Sequence, residues 1–277
     1  MANLRYEGEI VATSSSDRRN CWLTGMALLP DDHLLVTDFY PPNHAVKLLD
    51  YRTGDMVTQV TLDGFPWDVC LVAPNRAAVT VPVHMQIQFV GISGDKLALQ
   101  KAFNVGGECK GIDYHDGRLF VCYGKEEKIE VLTLDGRIIN RVDRNTAGIL
   151  DYPSYLTVSF DKNIPYLYVS DSVRNLIVKF SLNLEIMQKY QSFNLQKPRG
   201  LTPVSNGQLM VCGEDSHNVV LLDTGTGAMT EVLGPGDDIR SAQCVCYSPT
   251  LRKLFVTCYT FDHTRLNKTV KVFTAEM

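Results

Sequence analysis

The sequence predicts an all-β fold, a six-bladed β-propeller of four-stranded blades, on three observations. A short β-type segment recurs six times, hairpin turn signals separate the strands, and no helical periodicity competes with them. Each segment centres on a valine, and successive valines are 43, 42, 48, 42 and 45 residues apart. These valines are Val36, Val79, Val121, Val169, Val211 and Val256. Four strands at such a period are typical of a propeller blade.

The fourth repeat shows how one blade is built. β-type segments cover residues 155–160, 166–170, 176–181 and 184–193, with the last of them accepted as a strand because its apolar residues alternate. Turn pairs such as Asp116–Gly117 and Asp135–Gly136 mark hairpins in the neighbouring repeat. The whole chain, residues 1–277, is predicted to form one domain. Its blades are expected at residues 22–61, 66–104, 109–142, 153–193, 198–233 and 241–273.

The sixth repeat ends before it can supply an outer strand. It provides β-type segments at residues 242–247, 254–258 and 269–273 only. One β-type stretch, residues 6–13, precedes the first blade and has no other place. Placing it beside residues 269–273 closes the ring and removes an exposed sheet edge, which is a liability in any open sheet. We therefore predict that the N-terminal strand closes the last blade.

Composition limits the class of protein. Lys plus Arg total 27 against 31 Asp plus Glu, a net charge of −4, so the chain lacks the overall basic character typical of nucleic-acid-binding domains. No apolar run is long enough to span a bilayer, and the N-terminus does not resemble a signal peptide. A cytoplasmic protein is expected, with the nucleus as the alternative. The eight cysteines show no Cys-x-x-Cys spacing and are expected to be reduced, buried residues.

Three of the repeats carry a more specific pattern. Blade five contains Pro198-Arg199-Gly200-Leu201 and later Asp215-Ser216-His217-Asn218; blade four contains Val169-Ser170-Asp171-Ser172; blade one contains Val36-Thr37-Asp38. This pattern resembles the NHL repeat, best known from the C-terminal propeller of tripartite-motif proteins. Blades two, three and six have lost most of it, with Val81-Pro82, Tyr123-Gly124 and Cys258-Tyr259 in place of the Asp-Ser pair. No blade combines a Gly-His pair with a later Trp-Asp pair, as WD repeats do.

The resemblance implies a recognition module rather than an enzyme. Tripartite-motif proteins also carry a RING, a B-box and a coiled coil, none of which this sequence contains. The chain is therefore expected to be non-catalytic and monomeric, to hold no cofactor, and to bind a protein or peptide, as the substrate-recognition part of a tripartite-motif ubiquitin ligase would. Single-stranded RNA is the alternative partner, since some tripartite-motif propellers bind it. A membrane partner is not expected.

The predicted binding site lies where the inner strands begin. In a propeller, the loops between blades and those between the second and third strands meet on one face, and binding residues concentrate on such loops. The residue before the apolar run of each inner strand is assigned to Thr24, Trp67, Lys110, Ser154, Arg199 and Ala242. Trp67, Lys110, Tyr155, Arg199 and Arg240 are the predicted binding residues, because aromatic residues and arginine dominate interface energetics. The alternative is that Trp67 packs between blades and the cations are solvated.

Two other kinds of site, a calcium-dependent hydrolase centre and a histidine metal site, have candidate residues in the sequence. A calcium-dependent lactonase or esterase propeller would place carboxylates in the central channel, and Asp68, Glu108 and Asp113 are the candidates. No cluster of asparagines accompanies them, although calcium takes six to eight oxygen ligands. Four histidines fall in loops after second strands, namely His44, His84, His217 and His263. They are spread around the ring, so a repeat-structural role is favoured over metal binding, and no metal site is predicted.

Overall fold

The computed structural model describes residues 4–15, 17, 21–31, 33–260 and 265–275. Its strands form six separate four-stranded antiparallel sheets, each of which runs from an inner strand a to an outer strand d. Blade 1 contains β2 (Leu23–Leu28), β3 (His33–Asp38), β4 (Ala45–Asp50) and β5 (Asp55–Thr61). Blade 2 contains β6 (Val69–Ala73), β7 (Arg76–Val81), β8 (Gln86–Ser93) and β9 (Lys96–Asn104). Blade 3 contains β10 (Cys109–His115), β11 (Arg118–Tyr123), β12 (Lys128–Thr133) and β13 (Ile138–Val142).

The remaining blades repeat this order. Blade 4 contains β14 (Pro153–Asp161), β15 (Ile164–Asp171), β16 (Leu176–Ser181) and β17 (Ile186–Tyr190). Blade 5 contains β18 (Pro198–Ser205), β19 (Gln208–Gly213), β20 (Asn218–Asp223) and β21 (Met229–Leu233). Blade 6 contains β22 (Ala242–Ser248), β23 (Lys253–Cys258) and β24 (Thr269–Ala275), and its outer strand is β1 (Leu4–Val11). The predicted six-bladed β-propeller is confirmed.

The N-terminal strand closes the ring as predicted. β1 pairs with β24 in antiparallel register from Leu4 opposite Ala275 to Val11 opposite Thr269. Ile10 on this strand is 1% exposed and packs in the cluster between blades 6 and 1. The strand therefore supplies both hydrogen bonds and core to the blade that the C-terminus leaves incomplete.

Apolar packing lies between neighbouring blades. Within the described part of the chain, the buried hydrophobic residues fall into six clusters that follow the blade interfaces. Phe120 and Val131 of blade 3, for example, pack with Leu156 and Val169 of blade 4. The repeating valines are fully buried in these layers. All eight cysteines are free and buried, as predicted.

Strand d of blade 4 is shorter than its sequence pattern predicts. The alternating stretch begins at Leu184, but Leu184 adopts a positive φ of 66° in a turn, and its backbone N–H donates to the Ser181 carbonyl. The strand begins only at Ile186.

The described helical segments have three or four residues, and none of them is long enough to cross a membrane.

Acidic residues at the ends of two second strands join the loops on one face. The Asp38 carboxylate accepts hydrogen bonds from the Trp22 backbone N–H at 2.9 Å and from the Asn43 side chain at 2.9 Å. Asp171 accepts from the backbone N–H of Asp151 at 2.6 Å. Each carboxylate thus links the loop that enters its blade to the loop after strand b. The aspartate of the repeat pattern has a structural function, and the face on which these loops meet is called the loop face below.

Candidate functional site

A bulge near the start of strand a occurs in five of the six blades. The register shifts between Leu23 and Gly25 in blade 1 and between Ala242 and Cys244 in blade 6, for example. Trp67 holds the equivalent position just before strand a of blade 2. The residue at the bulge position in blade 6 is consequently Gln243, and the assignment of Ala242 to this position was wrong by one residue. We call these six residues the mouth: Thr24, Trp67, Lys110, Ser154, Arg199 and Gln243.

Trp67 and Tyr155 are almost fully buried, more so than residues that stack on a ligand need to be. Trp67 is 5% exposed and Tyr155 is 2% exposed, with their ring centroids 5.8 Å apart. The Tyr155 hydroxyl crosses from blade 4 to the opposite side of the ring and donates to the Thr24 carbonyl at 2.8 Å. The sequence showed where these residues enter the strands but not that their rings would meet across the axis. They form the floor of the mouth, and their predicted contact with a ligand remains a prediction.

Alternating glycines make room for this floor. The residues directly after the mouth positions are Gly25, Asp68, Gly111, Tyr155, Gly200 and Cys244. A Cβ on Gly111 would lie 2.6 Å from the Tyr155 Cα, and one on Gly200 would lie 2.8 Å from the Cys244 Cα. Such distances are too short for carbon atoms. Every second blade therefore lacks a side chain at this level, so that the next blade can approach the axis.

A second group of aromatic residues extends the floor towards blades 1 and 6. Trp22 stacks on Tyr259 with centroids 4.4 Å apart and meets the Phe39 ring edge-on at 5.0 Å. Phe39 in turn contacts Phe65 and Trp67, at 5.4 and 5.3 Å. The predicted binding residues do not include this group. The sequence does indicate part of it, because Phe39 and Tyr259 each directly follow strand b of their blades.

Lys110 lies on this aromatic surface without an acidic partner. Its Nζ is 3.8 Å from the Trp67 ring centroid and 5.9 Å from that of Phe39, and the residue is 7% exposed. No carboxylate among the described residues forms an ion pair with it. Burial lowers the pKa of Lys110 to about 8; the Glu108 carboxylate opposes this shift and the Arg199 guanidinium adds to it. An amine and an ammonium form are therefore both accessible near neutral pH.

The two predicted arginines differ in their surroundings. Arg199 is largely covered, and its Nε donates to a carboxylate oxygen of Glu214. Lys197 binds the other oxygen of Glu214 at 2.8 Å, and together these cations lower the pKa of Glu214 despite its burial. Arg240 is exposed on the loop that enters blade 6. The structure thus places Lys110 and Arg199 at the mouth and Arg240 at the rim of the same face.

Below Tyr155 the channel opens into a cavity of about 260 Å³. Its wall includes Asp68, Asp113, Cys70, Cys244 and Cys246. The Asp68 carboxylate accepts from the backbone N–H of Ile112 in the next blade at 3.0 Å. Asp113 accepts in the same way from the Val158 N–H at 2.7 Å. Both carboxyl groups thus hold neighbouring blades together.

Burial raises the pKa of the Asp68 carboxyl to about 8, although backbone hydrogen bonds from Ile112 and Val69 favour the charged form. Between about pH 4 and pH 8 the folded protein therefore binds a proton that the unfolded chain has released, so the unfolding free energy falls as pH rises. We expect the wild type to lose up to about 1.4 kcal/mol per pH unit in this window relative to Asp68→Asn. Denaturant titrations from pH 5 to pH 9 measure this difference.

The exposed Asp55→Asn variant is the control for this titration, because its carboxylate lies in solvent. It should track the wild type at every pH. If Asp68→Asn also tracks the wild type, then Asp68 titrates below the window and the expectation is wrong.

Of the three carboxylates in the alternative lactonase hypothesis, Glu108 lies apart from the other two. Glu108 lies on the loop face and pairs with Lys125 at 2.6 Å, whereas Asp68 and Asp113 line the cavity below the floor. The histidines are also separate: His217 Nδ1 accepts from the Ser241 N–H at 3.0 Å, and His44 packs on Phe65. His84 lies near the Asp63 carbonyl, and His263 lies outside the described residues. The convergence that metal binding would need is not seen among the described histidines.

One group of potential metal ligands does come together in the described part of the chain. Asp17, Cys21 and Asp38 offer ligand atoms within 4.8 Å of one another. The Lys47 Nζ, however, already occupies this space, at 2.7 Å from Asp17, 2.9 Å from Asp38 and 3.2 Å from the Cys21 sulfur. The three side chains therefore surround the ammonium group of Lys47.

Comparisons with known proteins support the fold. Neither a protein-family model nor a curated protein sequence matches this chain. Among solved structures, a streptogramin B lyase aligns with a TM-score of 0.68 at 16% identity, covering 99% of this chain and 88% of that one. A catalytically inactive variant of virginiamycin B lyase from Staphylococcus aureus, solved with quinupristin, aligns with a TM-score of 0.69 at 12% identity, covering 98% and 99%. A functionally unknown protein from Desulfotomaculum acetoxidans gives 0.60 at 13%, covering 84% and 72%. At these identities the likeness shows a shared propeller fold.

This finding corrects the expectation that the chain is not an enzyme. That expectation was drawn from a resemblance to recognition modules, whereas the lyases that match over nearly the whole chain are enzymes. Other proteins with this propeller architecture are therefore enzymes. The fold gives no reason to exclude an enzymatic activity for this chain. The NHL resemblance is matched by no family model and stays a prediction.

Proposed function

We propose that this protein binds an acidic peptide segment of a partner protein across the loop face, with a carboxylate of that segment on Lys110. The observation that carries the proposal is the ammonium group of Lys110, which lies at the mouth with no carboxylate partner among the described residues. A buried charge without a counter-ion is costly, so an incoming carboxylate would be favoured there. The neighbouring Arg199 adds positive charge, although Glu214 already binds it.

Exposed apolar side chains on the same face supply the rest of the binding surface. Phe193, between blades 4 and 5, is 92% exposed, the highest value among the large hydrophobic residues described. Val173 beside it is 57% exposed, and Val83 and Met85 on the loop of blade 2 are 52% and 46% exposed. The loops of this face thus carry two exposed apolar areas, one at blades 4 and 5 and one at blade 2. An extended segment with apolar residues around an acidic one matches this arrangement in charge and polarity.

Peptides selected from a phage-displayed random library against the wild-type protein test the proposal. We expect the selected sequences to contain Asp or Glu next to large apolar residues. Fluorescence polarisation then compares one selected peptide across variants. Lys110→Met should weaken binding about ten- to a hundredfold, because a hydrogen bond to a charged group contributes about 1.5–3 kcal/mol. Phe193→Ser should weaken it about tenfold through lost apolar contact.

Lys96→Met removes the same charge from the outer strand of blade 2 and is the matched control, since Lys96 is exposed and distant from the mouth. It should bind like the wild type, and all three variants should keep the wild-type melting temperature. Selected peptides without acidic residues, or unchanged binding by Lys110→Met, would contradict the proposal. Tighter binding of a uridine oligonucleotide with a steep salt dependence would instead favour RNA. Binding of quinupristin in place of the peptide would favour a ligand like that of the lyase.

A further inference from the structure

Five lysines are buried in the described part of the chain, and four of them have carboxylate partners. These pairs are Lys47 with Asp17 and Asp38, Lys128 with Glu130 at 2.7 Å, Lys179 with Asp161 at 2.5 Å, and Lys271 with Asp238 at 2.8 Å. Lys128 and Lys179 also lie over aromatic rings, 4.1 Å from Tyr123 and 3.9 Å from Tyr166. Lys110 shares their burial and their aromatic contact. It differs from them only in having no acid.

The surroundings of Lys110 favour its neutral form. The walls are aromatic, and the Arg199 guanidinium lies close enough to disfavour a second positive charge. Glu108, the acid that acts on Lys110 most strongly, is held by Lys125 at 2.6 Å. A lysine that is desolvated and next to another cation is an activated amine nucleophile. Lys110 also lies at the β-bulge near the start of strand a of blade 3, and 7% of the residue remains exposed for a ligand to reach.

We propose that Lys110 is a covalent carbonyl-binding site, whose amine condenses with the aldehyde or ketone group of a ligand at the mouth. The Nζ lone pair attacks the carbonyl carbon, a C–N bond forms, and the carbonyl oxygen leaves as water with the two amine protons. The product is an imine between Lys110 and the ligand. No oxidant or reductant takes part in this step. The inference goes beyond peptide binding, since it needs the amine rather than the charge of Lys110.

Reductive trapping tests the inference. The intact protein is incubated with 4-carboxybenzaldehyde and cyanoborohydride at pH 7, and modified lysines are located and timed by peptide mass spectrometry. We expect Lys110 to be modified at least about ten times faster than the exposed Lys96. At a pKa of about 8, roughly a tenth of the Lys110 side chains are neutral at this pH and can react. Lys128 and Lys179 are the matched controls, equally buried but paired, and should stay unmodified.

The pH profile gives an independent readout. The rate at Lys110 should level off above about pH 8, where its amine is mostly neutral. Replacing Arg199 with Gln should move the Lys110 profile to higher pH, because a positive neighbour is lost. Modification of Lys110 no faster than Lys96, or a profile that does not level off, would overturn the inference.

Trapping and peptide selection, both carried out on the wild type, separate this inference from the proposed function. Lys110→Arg is the negative control for trapping, because arginine is not a carbonyl nucleophile and should carry no adduct at this position. Trapping at Lys110 without enrichment of acidic peptides would contradict the peptide proposal alone. Trapping that fails in the wild type, with peptide binding intact, would contradict the carbonyl site alone.

Discussion

Deletion of residues 1–13 is expected to leave a protein that aggregates and no longer melts in one cooperative transition. The deletion removes every β1 contact to β24 and exposes the edge of the last blade. It also removes Ile10 and Ala12, which are 1% and 0% exposed. Thermal melting and size-exclusion chromatography measure the outcome. A truncated protein that stays monomeric with the wild-type melting temperature would show that the ring does not need this strand.

Two point variants of the same strand show whether β1 stabilises the protein through core packing or through strand pairing alone. Ile10→Ala removes a buried side chain and should lower the unfolding free energy by about 2–5 kcal/mol. Val11→Ala, at a side chain that is 46% exposed, should change it by about 0.5 kcal/mol or less. Equal effects of the two would mean that β1 contributes hydrogen bonds only, without core packing.

Replacement of Lys47 with Met should destabilise the protein by about 3–5 kcal/mol, because it leaves the buried carboxylates of Asp17 and Asp38 without a counter-ion. Burial opposes the charge of Lys47, but Asp38, Cys21 and Asp17 outweigh it and raise its pKa. The same ammonium donates to the Ala12 carbonyl at 2.9 Å, so it ties the segment after β1 to blade 1. Denaturant unfolding measures the change.

Lys253→Met is the control for this variant. Lys253 pairs with Glu7, whose side chain is 44% exposed, and ion pairs that reach solvent contribute about 1 kcal/mol or less. The triple variant Lys47→Met, Asp17→Asn, Asp38→Asn should recover part of the lost stability. If Lys47→Met alone costs no more than Lys253→Met, the buried group does not hold the closure.

The ring could be predicted because its signals are local and repeated. The spacing of the valines reports one blade per period, and the missing strand of blade 6 predicts the partner of β24. How deeply a residue is buried, by contrast, is not encoded in the residues next to it in the sequence. The sequence places Trp67 and Tyr155 near the start of strand a, but their burial depends on Gly25, Gly111 and Gly200 letting other blades approach the axis.

The site was predictable only in part for a related reason. Lys110 and Arg199 occupy equivalent positions in their strands, yet one has no acidic partner and the other binds Glu214. That difference depends on which loop residues meet across a blade, and the repeat pattern does not encode it. The bulge in blade 6 moved the equivalent position from Ala242 to Gln243 for the same kind of reason, since a bulge adds one residue to one strand.

The hydrogen bond from Tyr155 to Thr24 also divides the axis of the molecule into two compartments. On one side lie an unpaired amine and a guanidinium, and on the other a chamber lined by two carboxyl groups and three thiols. A ligand at the mouth would therefore meet the amine and the guanidinium, whereas the carboxyl groups and the thiols lie beyond the Tyr155 ring. Burial raises the pKa of the Cys70, Cys244 and Cys246 thiols, so the chamber beyond that ring holds neutral thiols.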